Sequence, residues 1–190
     1  MPKKKELLNV YNRNPENHAF LIEISLDDYS EIFNGWDASQ LKKKDMEPEL
    51  LSYIEQAGYE IPMDETIEIC FYLPKQFNDT EKENISMIGI QNNFRTVLFF
   101  IERLLHKNYR QILTYVSIAI LFLIGAYGLR LLTDLNFTFS IVVEGFFIGG
   151  WFLMWEVFSL FFFESHDTRR RRKVYQRFAK SKIYFKDNRE

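Results

Sequence analysis

Three glutamates interrupt an otherwise apolar stretch late in the chain, VVEGFFIGGWFLMWEVFSLFFFE at residues 142–164. They are Glu144, Glu156 and Glu164. A carboxylate near the centre of a bilayer costs about 2.5–3.5 kcal/mol, so such residues face protein or water and often mark an ion path. Rings of carboxylates also attract cations in channels. We therefore consider cation conduction first, and we expect Glu164, at the end of the stretch, to be solvated.

Glu156 shares one helical stripe with Phe152, Gly149 and Gly145, and the two glycines form a GxxxG pattern. Small residues at this spacing let two membrane helices approach closely. If several copies of the chain assemble, Glu156 would lie around a common axis as a ring of carboxylates. Two helices per chain cannot enclose a water-filled path, so a pore requires a homo-oligomer, for which a symmetric ring is the usual arrangement.

Two other interpretations of these acids stay open. The GxxxG pattern could be only a packing seam, with Glu156 hydrogen-bonded to Ser117 or Tyr115 of a preceding helix. Glu144 lies at a depth similar to that of Arg130 in an antiparallel hairpin, so the two could form an intramembrane ion pair, within or between subunits, or they could lie at a pore mouth.

Two basic runs could bind an anion. They consist of Lys42, Lys43 and Lys44 in LKKKD and of Arg169, Arg170, Arg171 and Arg172 in TRRRRK. The arginine run can serve as a topology signal and as a contact to anionic membrane lipid. Alternatively, the two runs could together line a site for a phosphate-bearing ligand such as a nucleotide or an oligonucleotide.

The sequence offers little for enzymatic chemistry. It has no P-loop, GxGxxG, HExxH or GxSxG motif, and its three histidines, His18, His106 and His166, lie in unrelated contexts. The lone Cys70 cannot form an intramolecular disulfide and belongs to no zinc-binding pattern. We therefore predict a protein that is not an enzyme and that has no metal site and no cofactor.

The elements that carry the acids are two predicted membrane spans, residues 111–133 and 139–163. Each is long enough to cross a hydrocarbon core of roughly 30 Å. The linker DLNFT at 134–138 is short, so the spans should form a tight antiparallel hairpin. The alternative is a pair of very apolar core helices in a soluble protein, which so small a domain could hardly bury.

The charge distribution gives the orientation. The net charge is −6 over residues 1–110, −3 over 111–164 and +7 over 165–190. Cations flank the outer ends of both spans, whereas the linker carries only Asp134. The positive-inside rule therefore places both termini in the cytoplasm. The first 30 residues lack a signal peptide pattern, so we do not expect the N-terminal part to be exported by that route, and we expect a multi-pass membrane protein.

The N-terminal part of the sequence predicts a small α+β domain. AFLIEIS (19–25) and TIEICFYLP (66–74) alternate apolar and polar residues as strands do. Between them we predict a short helix in LDDYSEIFNGW and a second helix in MEPELLSYIEQAG, with Pro48 near its first turn and Gly58 at its stop. In the tail, KIYFKD (182–187) has strand character and should return to the same sheet.

A capping box of Thr80 and Glu83 should open a long amphipathic helix that ends near residue 107. Its apolar stripe could cover the sheet or meet the same helix in other subunits. We thus predict an α-helical transmembrane hairpin with a small α+β cytoplasmic domain made by the N-terminal region and the C-terminal tail. The predicted boundaries are a domain at 1–80, a connecting helix at 81–110, the hairpin at 111–164 and a basic tail at 165–190.

The motifs FNGWDAS (33–39) and DMEPELLSYIEQAGYEIP, followed by GGWFLMWEVFSLFFF and the KIYF tail, resemble a group of small bacterial membrane proteins. Within this group the chain resembles the membrane-effector subunit of Hailong-type anti-phage defence. The resemblance implies an oligomeric, tetrameric ion channel with a cytoplasmic cap. It also implies control by single-stranded DNA oligomers that a partner nucleotidyltransferase makes.

These observations lead us to expect a homo-oligomeric ion channel that is gated by its cytoplasmic domain and depolarises the membrane. The alternative is a non-conducting membrane adaptor whose cytoplasmic domain recruits a soluble partner. A subunit of a small-molecule transporter is a weaker alternative because two spans show no inverted repeat.

Overall fold

The computed structural model describes residues 10–77, 79–132 and 137–187. Its elements are β1 (Phe20–Ser25), α1 (Pro48–Glu60), β2 (Ile67–Leu73), α2 (Thr80–Leu132), α3 (Phe137–Ser159), a π-helical turn (Leu160–Glu164), α4 (Ser165–Phe178) and β3 (Lys182–Asp187). The chain divides into two compact units. We call the first, which runs to Phe100 and resumes at Arg172, the head, and the second, Ile101–Arg171, the hairpin unit.

The head contains a three-stranded sheet in the order β1-β2-β3. All three predicted strands are confirmed, and the tail does return to the sheet, because Ile183 of β3 pairs with Ile69 of β2. Both strand pairs are parallel, and Ile69 pairs on its other side with Ile22 of β1. Every residue of β2 is buried, as expected for the central strand of a parallel sheet that is covered on both faces.

Helix α1 begins with Pro48 in its first turn, as predicted. The prediction that Gly58 ends the helix is wrong, because α1 continues to Glu60. Gly58 instead makes room for α4: a Cβ there would lie 2.5 Å from Phe178 Cζ and 2.8 Å from Val174 Cγ1. The glycine is thus required by helix packing and not by the helix terminus.

The predicted short helix after β1 is a single 3-10 turn, Tyr29–Ile32. The capping box that we predicted for α2 is wrong, since the cap is Asp79, whose Oδ1 accepts from Glu81 N at 3.0 Å and from Lys82 N at 3.2 Å. Glu83 Oε1 instead accepts from the Tyr29 hydroxyl at 3.3 Å. The predicted connecting helix and first span form one continuous helix, α2.

In the hairpin unit the second half of α2 packs against α3. The rings of Phe122 and Phe146 lie 5.1 Å apart, and a Cβ on Gly150 would lie 2.9 Å from the Leu123 side chain. These contacts make the two helices antiparallel, as predicted. Most of the predicted linker, 134–138, lies outside the described residues.

Two helical stretches, in α2 and from α3 into α4, are long and apolar enough to cross a membrane, and only 11% of the most apolar window of each is buried. Core helices of a soluble protein would be mostly buried. The basic segment after the second span begins as helix α4, which continues from α3 through the π-helical turn.

Candidate functional site

The head has a cleft of about 470 Å³ between the 3-10 turn Leu41–Lys43 and helix α2. It is lined by Lys42, Lys43, Lys44, Asp45, Asn92, Asn93, Arg95, Thr96, Phe99 and Phe100. The structure therefore brings the three lysines of LKKKD together with an arginine and two amides of α2.

Close packing against α2 positions the lysine-bearing turn. A Cβ at Gly89 would lie only 2.5 Å from the Leu41 carbonyl oxygen, so the loop can approach α2 this closely only because position 89 is glycine. One helical turn later, Asn92 Nδ2 donates to the Lys42 carbonyl at 2.9 Å. Lys42 and Lys43 are exposed and Lys44 is half-buried, so the backbone is held while the ammonium groups remain available.

The chemistry of the cleft suits an anion that carries a flat or apolar group. Lys42–Lys44 and Arg95 outnumber the one lining acid, Asp45, and Arg95 can contact a phosphate with two parallel hydrogen bonds. Asn93 is 9% exposed, and its Oδ1 is buried without a hydrogen-bond partner in the described structure. The rings of Phe99 and Phe100 are more than half exposed and provide an apolar wall.

Our sequence reasoning identified the lysines but missed Asn92, Asn93 and Arg95. The available signal was the polar run QNNFR at 91–95, which interrupts the apolar stripe of α2. Three consecutive polar or charged positions on an otherwise amphipathic helix indicate a second polar surface, which the stripe alone does not reveal.

Within the hairpin unit, the stripe of Glu156 lies on a flank of α3 that α2 leaves largely uncovered. A Cβ on Gly145 would meet nothing within 4 Å, whereas one on Gly149 would lie 3.0 Å from Phe122. Phe152 is 67% exposed. Within one chain α3 packs on α2 through Gly149 and Gly150. Gly145, the other glycine of the GxxxG pattern, is therefore available to contact a helix of another subunit.

Glu156 is half-buried. Counting seven residues along both helices from the Gly149 contact with Phe122 brings Glu156 level with Tyr115. Within the described residues neither Tyr115 nor Ser117 bonds to it: the Tyr115 hydroxyl accepts from Gln111 at 3.1 Å, and the Ser117 hydroxyl donates to the Leu113 carbonyl at 2.9 Å. Within the described residues Glu156 has no hydrogen bond or ion pair.

Arg130 and Glu144 are both exposed, and no ion pair joins them within the described part of one chain. The contact of Gly125 with Phe146 places Glu144 level with Tyr127, about three residues or 4.5 Å along the axis from Arg130. The described structure of one chain therefore does not join Arg130 and Glu144, and an ion pair between subunits stays a prediction.

The arginine run is divided between the two units, since Arg169, Arg170 and Arg171 belong to the hairpin unit and Arg172 to the head. The Arg169 guanidinium lies 4.9 Å from the centre of the Phe161 ring and 5.5 Å from that of Tyr109. These cation–π contacts join α2 to the π-helical turn and α4 within the hairpin unit. Arg169 is thus engaged in packing.

The residues that the structure describes include no group of three or more histidine, cysteine or acidic side chains that could hold a metal ion. Comparison with known proteins gives no further assignment: no family model matches the chain, and neither a curated protein nor a solved structure is detectably similar to it.

Proposed function

We propose that the protein is a homo-oligomeric ion channel of the bacterial inner membrane whose head receives a cytoplasmic signal. The observation that carries this proposal is Glu156, a carboxylate that has no hydrogen bond or ion pair among the described residues and lies on a largely uncovered flank of an apolar helix. In lipid, such a group requires a second polar or aqueous surface, which one chain does not supply. A symmetric assembly supplies it by turning the same flank of every copy toward a common axis.

The direction of the chain in the membrane follows from its charges. In this proposal α2 and α3 cross the bilayer, and both termini are cytoplasmic, because Arg103, Lys107 and Arg110 precede the first span and the arginine run follows the second. The head is then in the compartment where a nucleotide signal is produced.

The cleft of the head supports a phosphate-bearing ligand as that signal. The resemblance to Hailong-type effectors points to a single-stranded DNA oligomer from a partner nucleotidyltransferase, and to a tetramer that depolarises the membrane in anti-phage defence. The cationic lining and exposed phenyl rings suit such a ligand, because phosphates bind cations and bases stack on aromatic rings.

Ion flux through purified protein in liposomes tests this proposal. We expect wild-type protein to pass cations, with a flux that changes when short single-stranded DNA is added, and we expect Glu156→Gln to reduce cation flux at least tenfold, because the neutral amide no longer attracts cations. The matched control is Glu164→Gln, an exposed glutamate of the adjoining π-helical turn. No flux under any condition would exclude the channel, and equal flux through all three proteins would exclude Glu156 from its ion path.

One feature of the head favours the alternative, a non-conducting adaptor. The Trp36 side chain is 97% exposed, and exposed tryptophans often anchor protein interfaces. An adaptor predicts that Trp36→Ala abolishes cellular function while Glu156→Gln leaves it intact, which is the opposite of what the channel predicts.

A further inference from the structure

A second polar surface lies on α2, where the helix would enter the cytoplasmic side of the membrane. It is a groove of about 400 Å³, lined by His106, Lys107, Arg110, Gln111, Thr114 and Tyr115. These positions form two parallel ladders at four-residue spacing, so they share one face of the helix. The face contains basic side chains and hydrogen-bonding groups and no carboxylate.

Local hydrogen bonds fix the groups of this groove. His106 Nδ1 lies 2.8 Å from the Glu102 carbonyl oxygen; since a carbonyl can only accept, Nδ1 carries the hydrogen and Nε2 faces away from this bond. Gln111 Nε2 donates to the Tyr115 hydroxyl at 3.1 Å, which leaves the phenolic hydrogen free to donate. Lys107 and Arg110 are exposed.

We infer that this groove binds the phosphate group of an anionic phospholipid of the cytoplasmic leaflet. The inference rests on the membrane insertion proposed above. Arg110 can bind a phosphate with two hydrogen bonds, Lys107 adds a point charge, and the Tyr115 hydroxyl adds a donor nearer the acyl chains. Anionic headgroups attract basic side chains at this depth.

The charge of the groove indicates whether it faces lipid or lines the ion path. If this face lined the path proposed for Glu156, Lys107 and Arg110 would stand at its cytoplasmic mouth and repel the cations that the glutamates attract. Turned toward lipid, the same cations meet headgroups of opposite charge. The groove and the Glu156 flank therefore have separate occupants.

The test uses the full-length protein in nanodiscs of equal parts phosphatidylglycerol and phosphatidylcholine. After mild detergent extraction, the phosphatidylglycerol retained per chain is measured by mass spectrometry. We expect about one per chain in wild type. The double variant Lys107→Gln with Arg110→Gln should bind it about 25-fold more weakly, from about fivefold per charge. The matched control, Lys75→Gln with Lys82→Gln, removes two exposed charges outside both the groove and the cleft of the head and should change binding less than about twofold.

Three results would overturn the inference. They are equal retention by all proteins, equal retention of phosphatidylcholine, and displacement of the lipid by millimolar inorganic phosphate, which would indicate a site for the free anion. Cation flux measured on the same variants separates this inference from the channel. If Glu156-dependent flux is present but the wild type shows no lipid selectivity, only the lipid site is excluded. If the wild type shows lipid selectivity but no flux, only the channel is excluded.

Discussion

Glu68 lies in the central strand of the head with only 4% of its surface exposed. Burial raises the pKa of its carboxyl, but the hydrogen bonds from Asn14, Asn17 and Tyr184, with the charge of Lys182, outweigh burial, so the pKa is lowered overall. Asn14 Nδ2 donates to it at 2.8 Å and Asn17 Nδ2 at 2.7 Å. A lowered pKa in the folded state stabilises the head at pH values above about 4.3, and this stabilisation is lost as the pH falls through the folded-state pKa.

We predict that Glu68→Gln destabilises the head at pH 7 by about 2 kcal/mol, because the new amide NH₂ faces two amide donors in place of a charged acceptor. As the pH falls through the folded-state pKa, the difference from wild type should shrink, since the wild-type carboxyl becomes protonated. Amide hydrogen exchange of β2 in the full-length protein measures this, with the exposed Glu49→Gln as control. A difference that stays constant with pH would contradict the account.

Arg177 shows what sequence alone could not assign at this scale. We counted it among the basic residues of the tail, yet its guanidinium donates to the carbonyls of Gly58 at 3.1 Å, Ile61 at 3.3 Å and Glu65 at 2.9 Å. Burial lowers its pKa. Counting charged residues in the sequence does not show which backbone carbonyls the fold places beside the Arg177 guanidinium. This contact between α4 and the end of α1 could therefore not be predicted.

The strands and the long helices were predictable as elements because their residues repeat with the periods of two and of three to four that each structure requires. The parallel pairing was not, since an alternating strand has the same pattern in either direction. The capping residue and the end of α2 also escaped prediction, although its start at Thr80 did not. The helix is capped by Asp79, the residue before Thr80, whose side chain accepts from the first free backbone amides. The helix does not end near residue 107 because no glycine or proline separates the amphipathic segment from the apolar one.

Gly89 tests whether α2 positions the lysine-bearing turn. Helix propensity alone predicts that Gly89→Ala stabilises the protein by about 1 kcal/mol. We expect the opposite, because the new Cβ would lie 2.5 Å from the Leu41 backbone oxygen and 3.0 Å from the Phe33 ring. The turn must then move away, and amide exchange at Lys43 and Lys44 should accelerate about tenfold or more.

The control for this substitution is Gly35→Ala, in the loop before the turn, where a Cβ would meet nothing within 4 Å. Its exchange pattern should match that of wild type. Unchanged exchange at residues 41–45 in Gly89→Ala would mean that the close approach does not hold the turn.

At the scale of the whole molecule, the chain order makes completion of the head depend on the hairpin unit. β3 pairs with β2, but α2, α3 and α4 lie between them in the sequence. The sheet therefore gains its third strand only after both predicted spans have been synthesised.

The two glycines of GxxxG have different roles, because Gly149 contacts α2 of its own chain and Gly145 contacts nothing among the described residues of that chain.

This division gives a test of assembly that does not depend on conduction. Gly145→Leu should leave the packing of one hairpin intact, because its side chain enters open space within the chain. If the same flank meets another copy, the added bulk separates the helices, and we expect the mass in mild detergent to fall from that of an oligomer, a tetramer by the resemblance, to that of a monomer or dimer. The control is Gly128→Leu, the same change at an α2 glycine that also meets nothing within 4 Å. A wild-type monomer, or an unchanged oligomer in Gly145→Leu, would show that this flank does not join subunits and would remove the basis for a ring of Glu156.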